Sequence, residues 1–342
     1  MKFTAKLLSA AILAASATIA VAGQPAPAGR PDRVTADFLK ALNSSKGPGI
    51  ETLSPAAARQ VLVDAQKSVK VDLSGIEVSE KTIQQDGLTV PLTIVRPEGV
   101  AGTLPAFIFI HGGGWILGDY PTHERLVRDL VVQSGAVAVF VNYTPSPEAK
   151  YPVAINEIYA ATKWVAANGA QIDVDGSRLA IVGNSVGGNM TAAVALMAKD
   201  RQGPALRFQG LMWPVTDHDF NTGSYQTYRQ GHFLTRPMMQ WFWNAYTTDP
   251  AQRAQKYASP LRASIDELKG LPPALVATAE LDVLRDEGEA YGRKLDAAGV
   301  EATVTRYNGA IHDFGLLNAL ADDAPTKAMT KAMAAELRSR LN

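Results

Sequence analysis

Three kinds of residue in this chain could together carry out an attack on a carbonyl group. They are a serine set between glycines, a run of glycines able to offer backbone N–H groups, and a histidine with acids nearby. The serine is Ser185, in Gly183-Asn184-Ser185-Val186-Gly187. An apolar run at 179–182 leads into it and a helix-forming run at 190–199 leads out. That pattern predicts strand, sharp turn and helix, with the hydroxyl at the apex. A Cβ at either flanking glycine would collide with a neighbouring strand or helix. A strained backbone at the apex would lift Oγ above the sheet. The helix that follows aims its unpaired N–H groups and positive dipole end at the same spot.

Attack on a carbonyl builds negative charge on its oxygen, and N–H donors must already be in place to receive it. His111-Gly112-Gly113-Gly114-Trp115 follows a strand predicted at 106–110. The amides of Gly113, Gly114 and Val186 are the candidate donors. A phosphate-binding loop is the rival reading of the glycines, and the missing Lys-Ser or Lys-Thr after them argues against it. The general base must come from five histidines: His111, His123, His218, His232 and His312. On an elbow of this kind the acid and then the histidine follow the serine along the chain. His218 and His232 fall in a segment outside the sheet, whereas His312 lies just past the last predicted strand, at the sheet's carboxyl edge. Asp282, a short turn beyond the strand at 274–279, is placed to accept from the imidazole Nδ1–H and fix its tautomer. Glu280 is its main competitor. Asp286 and Glu287 are expected to cap the helix carrying Leu295, and Asp313 is not expected to meet its neighbour His312 side chain to side chain.

The elements that must position these groups can be read from periodicity. Residues 34–42 and 54–66 have helical spacing, with Ser54-Pro55 as a helix start. Residues 76–83 and 88–96 alternate around Asp86-Gly87 as a hairpin. Six near-continuous apolar runs follow, at 106–110, 136–142, 179–182, 208–213, 274–279 and 302–307, separated by helices. Such runs imply parallel strands buried on both faces. The roughly 60 residues between Trp213 and Ala274 exceed any ordinary crossover. They are dense in aromatics, including Phe233 and Trp241. They are expected to form a cap with an apolar pocket, in which Trp115, Trp213, Phe233 and Trp241 touch the substrate.

Residues 1–22 have the shape of a secretory signal: Lys2 and Lys6, an alanine-rich apolar run, and Ala20-Val21-Ala22 before a cut at Gly23. The run is shorter than the roughly 20 residues of a membrane span, so cleavage and export to the periplasm or medium are expected, without stable membrane insertion. Residues 23–33 read as a mobile tether. The formal charge of the chain is zero, and it becomes −2 once Lys2 and Lys6 leave with the signal. With no Lys/Arg run, nucleic acid is not an expected partner. The absence of cysteine excludes disulfides, thiolate catalysis, lipid attachment and cysteine-held metals.

With these places identified, the chain resembles the hormone-sensitive-lipase-like branch (bacterial family IV) of the α/β-hydrolase esterases. The resemblance runs from about 105 to 314 and rests on HGGGW, GNSVGG, AELDVLRDEG and GAIHDF in that order. It implies a mostly parallel eight-stranded sheet with helices on both faces, capped by N-terminal helices and by an insertion after the sixth strand. The expected organisation is therefore cap helices at 34–75 and a catalytic domain at 76–342, with the cap insertion at about 214–255. The resemblance also implies Ser185 as nucleophile, His312 as base, Asp282 as its orienting acid, and an oxyanion hole from Gly113, Gly114 and the residue after Ser185. No cofactor or metal is implied, and a homodimer is compatible. Asn184, Val186, Val283 and Asp313 stand where the family usually has aspartate, alanine, proline and glycine. Asn142 and Thr144 replace a usual aspartate–arginine pair. The expected activity is hydrolysis of short- to medium-chain acyl esters. The same parts could serve lactones, carbamates, acetylated sugars or amides, and a non-catalytic sensor is the reading from another class.

Overall fold

The computed structural model describes residues 29–45 and 47–342; the expected signal at 1–22 lies outside them. Eight strands form one sheet: β1 (Ile76–Gln85), β2 (Leu88–Pro97), β3 (Leu104–Ile110), β4 (Val137–Val141), β5 (Val174–Asn184), β6 (Phe208–Met212), β7 (Ala274–Leu281) and β8 (Ala302–Ile311). Their order is β1-β2-β4-β3-β5-β6-β7-β8. Only the β1–β2 and β2–β4 pairs are antiparallel; the other five pairs run parallel.

Every residue of β4 and β6 is buried, as expected of strands covered on both faces. The prediction fails for the outer part of β8. None of its residues 302–307 is buried, each being exposed or half-buried, because β8 is an edge strand with a neighbour on one side only. Apolar content there marks an edge, not a doubly covered strand.

Four crossover helices and the final helix cover the sheet: α3 (Tyr120–Ser134), α4 (Val153–Asn168), α5 (Val186–Asp200) and α10 (Arg285–Ala297) join strands, and α11 (Ala324–Leu341) follows the last one. Thirteen residues of α5 are buried, which fits the helix that must hold the serine turn rigid. Two further groups of helices lie over the carboxyl edge. One comprises α1 (Arg33–Ser44) and α2 (Pro55–Lys67), and the other α6 (Gly223–Thr227), α7 (Arg236–Tyr246) and α8 (Pro250–Arg253), whereas α9 (Ile265–Leu268) lies beside the end of α5, where Lys199 donates to the Glu267 carbonyl. Ser54 caps α2, with Pro55 at its first position, as its sequence predicts. Arg59 fastens α2 to the body through Glu148 and the carbonyl oxygens of Ile116 and Ser146.

Of the expected tether at 23–33, the described residues 29–33 are held in place, and 23–28 lie outside the described residues. The Gly29 amide donates to the Tyr228 hydroxyl at 3.3 Å. Asp32 caps α1 through Thr35, and its own amide donates to the Gly309 carbonyl at 3.3 Å. Residues 29–32 are therefore strapped across the end of β8. Among the described residues, no helix is long and apolar enough to cross a membrane.

Candidate active site

Ser185 stands between the last residue of β5 and the first of α5, at φ 55° and ψ −121°. Side chains other than glycine's rarely adopt that backbone, and it persists only where the surroundings over-determine it. The surroundings here are the Met212 carbonyl, which accepts the Ser185 amide at 2.8 Å, and the glycines on either side. A Cβ on Gly187 would fall on the Ile110 carbonyl oxygen, and one on Gly183 on the Gly187 carbonyl oxygen. The glycines are there because backbone from β3 and α5 occupies the space a side chain would need.

β7 ends at Leu281 and β8 at Ile311, so the next residue of each, Asp282 and His312, stands at the same edge of the sheet. Nδ1 of His312 is 2.7 Å from Oδ2 of Asp282, and its Nε2 is 3.0 Å from Oγ of Ser185. The other Asp282 oxygen accepts from the Leu284 amide at 3.0 Å. With Nδ1 protonated and donating to the carboxylate, Nε2 is left with a lone pair facing the serine hydroxyl. All three residues are buried. Burial works against the charged imidazole, but the Asp282 and Asp313 carboxylates and the Asp282 hydrogen bond outweigh it and raise the His312 pKa above its ordinary value.

Gly113 and Gly114 bend back at φ 107° and 63°. The Gly113 carbonyl is held from behind by the Leu117 amide at 2.8 Å. The Gly112 amide is committed to Asn184 at 3.0 Å, whereas Val186, first in its helix, has an amide with no intrahelical partner. Gly113, Gly114 and Ser185 line one cavity of about 570 Å³. A Cβ on Gly114 would run into the Phe242 ring, so the cap packs directly onto this loop. The neighbouring His111 is buried and stacks on Tyr143 at 4.1 Å; burial pushes its pKa down to about 4.

The rest of the cavity comes mainly from the N-terminal helices and the loop between them, with Phe38, Leu42, Ile50, Val61 and Leu62, and from α7 with Met238 and Phe242. Phe233 lines it as expected and packs against Phe38 at 6.2 Å. The three tryptophan assignments need correction. Trp115 does not line the cavity. It is 1 % exposed, stacked on Tyr246 at 4.2 Å and set edge-on to Trp243 at 4.9 Å, where it anchors the glycine loop to α7. Trp241 packs beside Phe242 without reaching the cavity, and Phe242 takes the place expected of it. Trp213 is also buried in the body.

What Trp213 holds is a residue the sequence did not single out for the site. Its indole N–H donates to Oδ1 of Asp313 at 2.7 Å, and Nδ2 of Asn184 donates to the same oxygen at 3.3 Å. Oδ2 of Asp313 lies 3.9 Å from Nε2 of His312, so the two neighbours do meet, on the nitrogen that faces the serine. A positive φ of 58° at Asp313 turns its side chain that way. Burial raises the Asp313 pKa, against the opposing pull of His312, Trp213 and Asn184. The one signal in the sequence was that Asn184 and Asp313 both depart from the usual pattern. They prove to be each other's partners.

Other acids take different roles from those expected. Asp286 and Glu287 sit in the first turn of α10, but their oxygens serve the Ser224, Thr216 and Asp217 amides. They therefore tie α10 to the insertion, and do not cap their own helix. Glu280 accepts from the Gly309 amide at 2.7 Å and takes no part at the imidazole. Asn142 bonds Thr93 and Thr144 bonds Glu157, so two separate contacts stand in place of the usual ion pair.

Residues 107–316 match a family described as alpha/beta hydrolase fold. A solved thermostable esterase from Pseudomonas putida ECU1011 is 61 % identical, with a TM-score of 0.91 over 93 % of this chain and 99 % of that one. Carboxylesterase NlhH of Mycobacterium tuberculosis is 36 % identical over 271 residues, 78 % of this chain and 84 % of that protein. An ethyl acetate hydrolase of Pseudomonas putida is 34 % identical over 245 residues, 70 % of this chain and 76 % of that protein. With a serine elbow, a glycine loop and a capped, mostly parallel sheet in one molecule, the chain belongs to the α/β-hydrolase fold family, in its hormone-sensitive-lipase-like branch.

Proposed function

We propose that this protein hydrolyses carboxylic esters through an acyl-enzyme formed on Ser185. The observation that carries the reading is the unbroken chain from Asp282 through His312 to Ser185, at 2.7 and 3.0 Å. Nε2 of His312 takes the hydroxyl proton as Oγ attacks the ester carbonyl. The oxygen of the resulting tetrahedral adduct is received by the Gly113, Gly114 and Val186 amides, donors whose individual loss typically costs about a hundred- to a thousandfold in rate. The imidazolium then gives its proton to the departing alcohol. Water, activated by the same nitrogen, releases the acid and restores the serine. Asp282 keeps its hydrogen bond to Nδ1 throughout, holding the ring in the working tautomer.

The cavity volume of about 570 Å³ and its mostly apolar walls suit small and medium acyl esters and leave little room for long chains. That the Pseudomonas putida relative is an ethyl acetate hydrolase points the same way. The test is turnover of p-nitrophenyl acetate, butyrate, octanoate and palmitate. Rates should be highest for the shorter esters, and Ser185→Ala and His312→Ala should each lower them by roughly a thousandfold or more. Near-normal turnover in either variant would remove that residue from its role.

A further inference from the structure

β8 ends one residue before His312, and the chain then runs without strand or α-helix to the start of α11 at Ala324. Buried backbone in such a stretch must find its partners elsewhere. Arg125 of α3 donates to the Gly315 and Leu316 carbonyls at 2.6 and 2.9 Å, and to Oδ1 of Asn318 at 3.1 Å. Gln66, one residue from the end of α2, supplies the rest. Its Nε2 donates to the Leu316 carbonyl at 3.0 Å and to the Thr122 carbonyl of α3 at 2.7 Å. Its Oε1 accepts from the Asn318 amide at 2.9 Å, and its own carbonyl, one of the last four in the helix, accepts from Nδ2 of Asn318 at 3.0 Å. Both amide hydrogens and the amide oxygen are thus used, on a residue only 5 % exposed. Gln66 borders the cavity, but its polar atoms are all spent on the histidine loop and α3.

Seven residues back on the same helix, Arg59 reaches the other half of the site. Its Nε donates to the Ile116 carbonyl at 2.8 Å, and its Nη2 to the Ser146 carbonyl at 3.1 Å. Ile116 and Leu117 belong to the turn whose amides hold the Gly113 carbonyl, and the Ser146 amide donates to the Trp115 carbonyl at 2.7 Å. The ion pair of Arg59 with Glu148 is partly open to solvent and contributes little by itself; the carbonyl contacts are what fix the glycine loop. Seven residues are two turns, so Arg59 and Gln66 lie on one face of α2, about 10 Å apart along its axis. One helix therefore holds both the loop that carries the oxyanion donors and the loop that carries the base.

We propose that α2 is a brace, with Gln66 and Arg59 as positioning residues that set His312 in register with the Gly113 and Gly114 amides. This rests on the ester-hydrolase reading above. The brace acts through the two loops and not by covering the substrate.

The experiment is a double-mutant cycle on p-nitrophenyl butyrate hydrolysis, with active sites counted by the p-nitrophenol released from a stoichiometric phosphonate, so that kcat refers to working sites. Gln66→Met and Arg59→Met keep unbranched, helix-favouring side chains and remove the hydrogen bonds. A misplacement of about 1 Å costs on the order of a hundredfold. Gln66→Met should therefore lower kcat about a hundredfold and Arg59→Met about tenfold, each with KM within about threefold of wild type. Loosening the histidine loop weakens the contact with Asp282 that raises the His312 pKa, so Gln66→Met should also move the acid limb of kcat/KM to lower pH. The double variant separates a brace from two unrelated anchors. Independent sites about 10 Å apart would multiply their losses, to about a thousandfold. A brace released at one end has nothing more to transmit, so the double variant should stay near a hundredfold. Multiplying losses overturn the proposal, as does an unmoved limb in Gln66→Met or a kcat within about twofold of wild type in either single variant. A fall only in the number of titratable sites also overturns it, since lost folding would explain that. If Gln66→Met yields no folded protein, Gln66→Glu, which keeps an acceptor for Asn318 but has no N–H for Leu316 and Thr122, takes its place under the same criteria. If the wild type hydrolyses no p-nitrophenyl ester, the ester-hydrolase reading itself fails; hydrolysis with multiplying losses defeats this proposal alone.

Discussion

Replacing Asp282 with asparagine changes one atom type and, on the geometry of this site, should stop the chemistry almost completely. The two carboxylate oxygens have separate tasks. Oδ1 accepts from the Leu284 amide at 3.0 Å, and Oδ2 accepts from Nδ1 of His312 at 2.7 Å. Asparagine has a single oxygen. If that oxygen stays with Leu284, the NH₂ group faces Nδ1, which must then present a lone pair, and the ring proton moves to Nε2. An Nε2–H pointing at Ser185 from 3.0 Å cannot accept the hydroxyl proton. The flipped amide would instead leave the buried Leu284 N–H facing another donor, at a cost of about 1–3 kcal/mol, so the unproductive tautomer is favoured. Loss of a working tautomer in a triad of this type costs about ten-thousandfold in kcat, or roughly 5 kcal/mol of barrier. KM should change little, because Asp282 is absent from the cavity lining. Melting temperature should stay close to that of the wild type, because shape and one hydrogen bond are retained. Steady-state hydrolysis of p-nitrophenyl acetate, with a melting curve on the same preparation, measures all three quantities. A variant with kcat within about tenfold of wild type and an intact melting curve would refute the orienting role. Asp313 cannot take over that role, since it faces the opposite nitrogen.

Two further outcomes follow from the same geometry. The base works only as neutral imidazole, and its pKa is raised. So kcat/KM should fall as pH drops through a value above the ordinary histidine pKa of about 6.5. Asp313→Asn removes a charge that favours the imidazolium, so it should move this limb to lower pH; an unmoved limb in a pH–rate profile would show that Asp313 does not act on the ring. Phe233→Ala should change the ranking of acyl-chain lengths and Trp241→Ala should leave it unaltered, because only the first lines the cavity; equal effects in the p-nitrophenyl series would contradict that division.

The relay was legible in the sequence because its members are set by chain geometry. A strand end, a glycine-flanked turn and a loop after the next strand each fix one side chain at the same edge, which singled out Ser185 and His312; the acid stayed divided between Asp282 and Glu280 until the structure put Asp282 on the imidazole and Glu280 on the Gly309 amide. The cap was legible as an excess of chain between β6 and β7, but not the direction of its side chains. On α7 the residues Met238 and Phe242, four apart, line the cavity, while Met239, Trp243 and Tyr246 are buried away from it. Both sets are apolar with helical spacing, so periodicity reports two buried faces without saying which one meets a substrate. Trp115 and Trp213 misled for a related reason. A large aromatic beside a catalytic motif can serve the cavity or hold the motif still, and both of these hold.

The pairing of Asn184 with Asp313 shows why single departures from a family pattern were hard to interpret alone. The usual residues at these positions, aspartate and glycine, would put one carboxylate next to the serine and none on the histidine loop. Here the acid stands on the histidine loop, with Nδ2 of Asn184 3.3 Å from it. Had 184 remained aspartate, two buried carboxylates would meet at that distance, and one would be forced to hold a proton. Asparagine removes that conflict, keeps an oxygen for the Gly112 amide of the glycine loop, and supplies a donor to Asp313. The exchange therefore preserves the support of the glycine loop while moving the negative charge toward Nε2 of His312, the nitrogen that serves the leaving alcohol. Each substitution taken alone would leave a buried charge or a buried amide unpartnered; made together they partner each other and leave the Asp282–His312–Ser185 relay undisturbed.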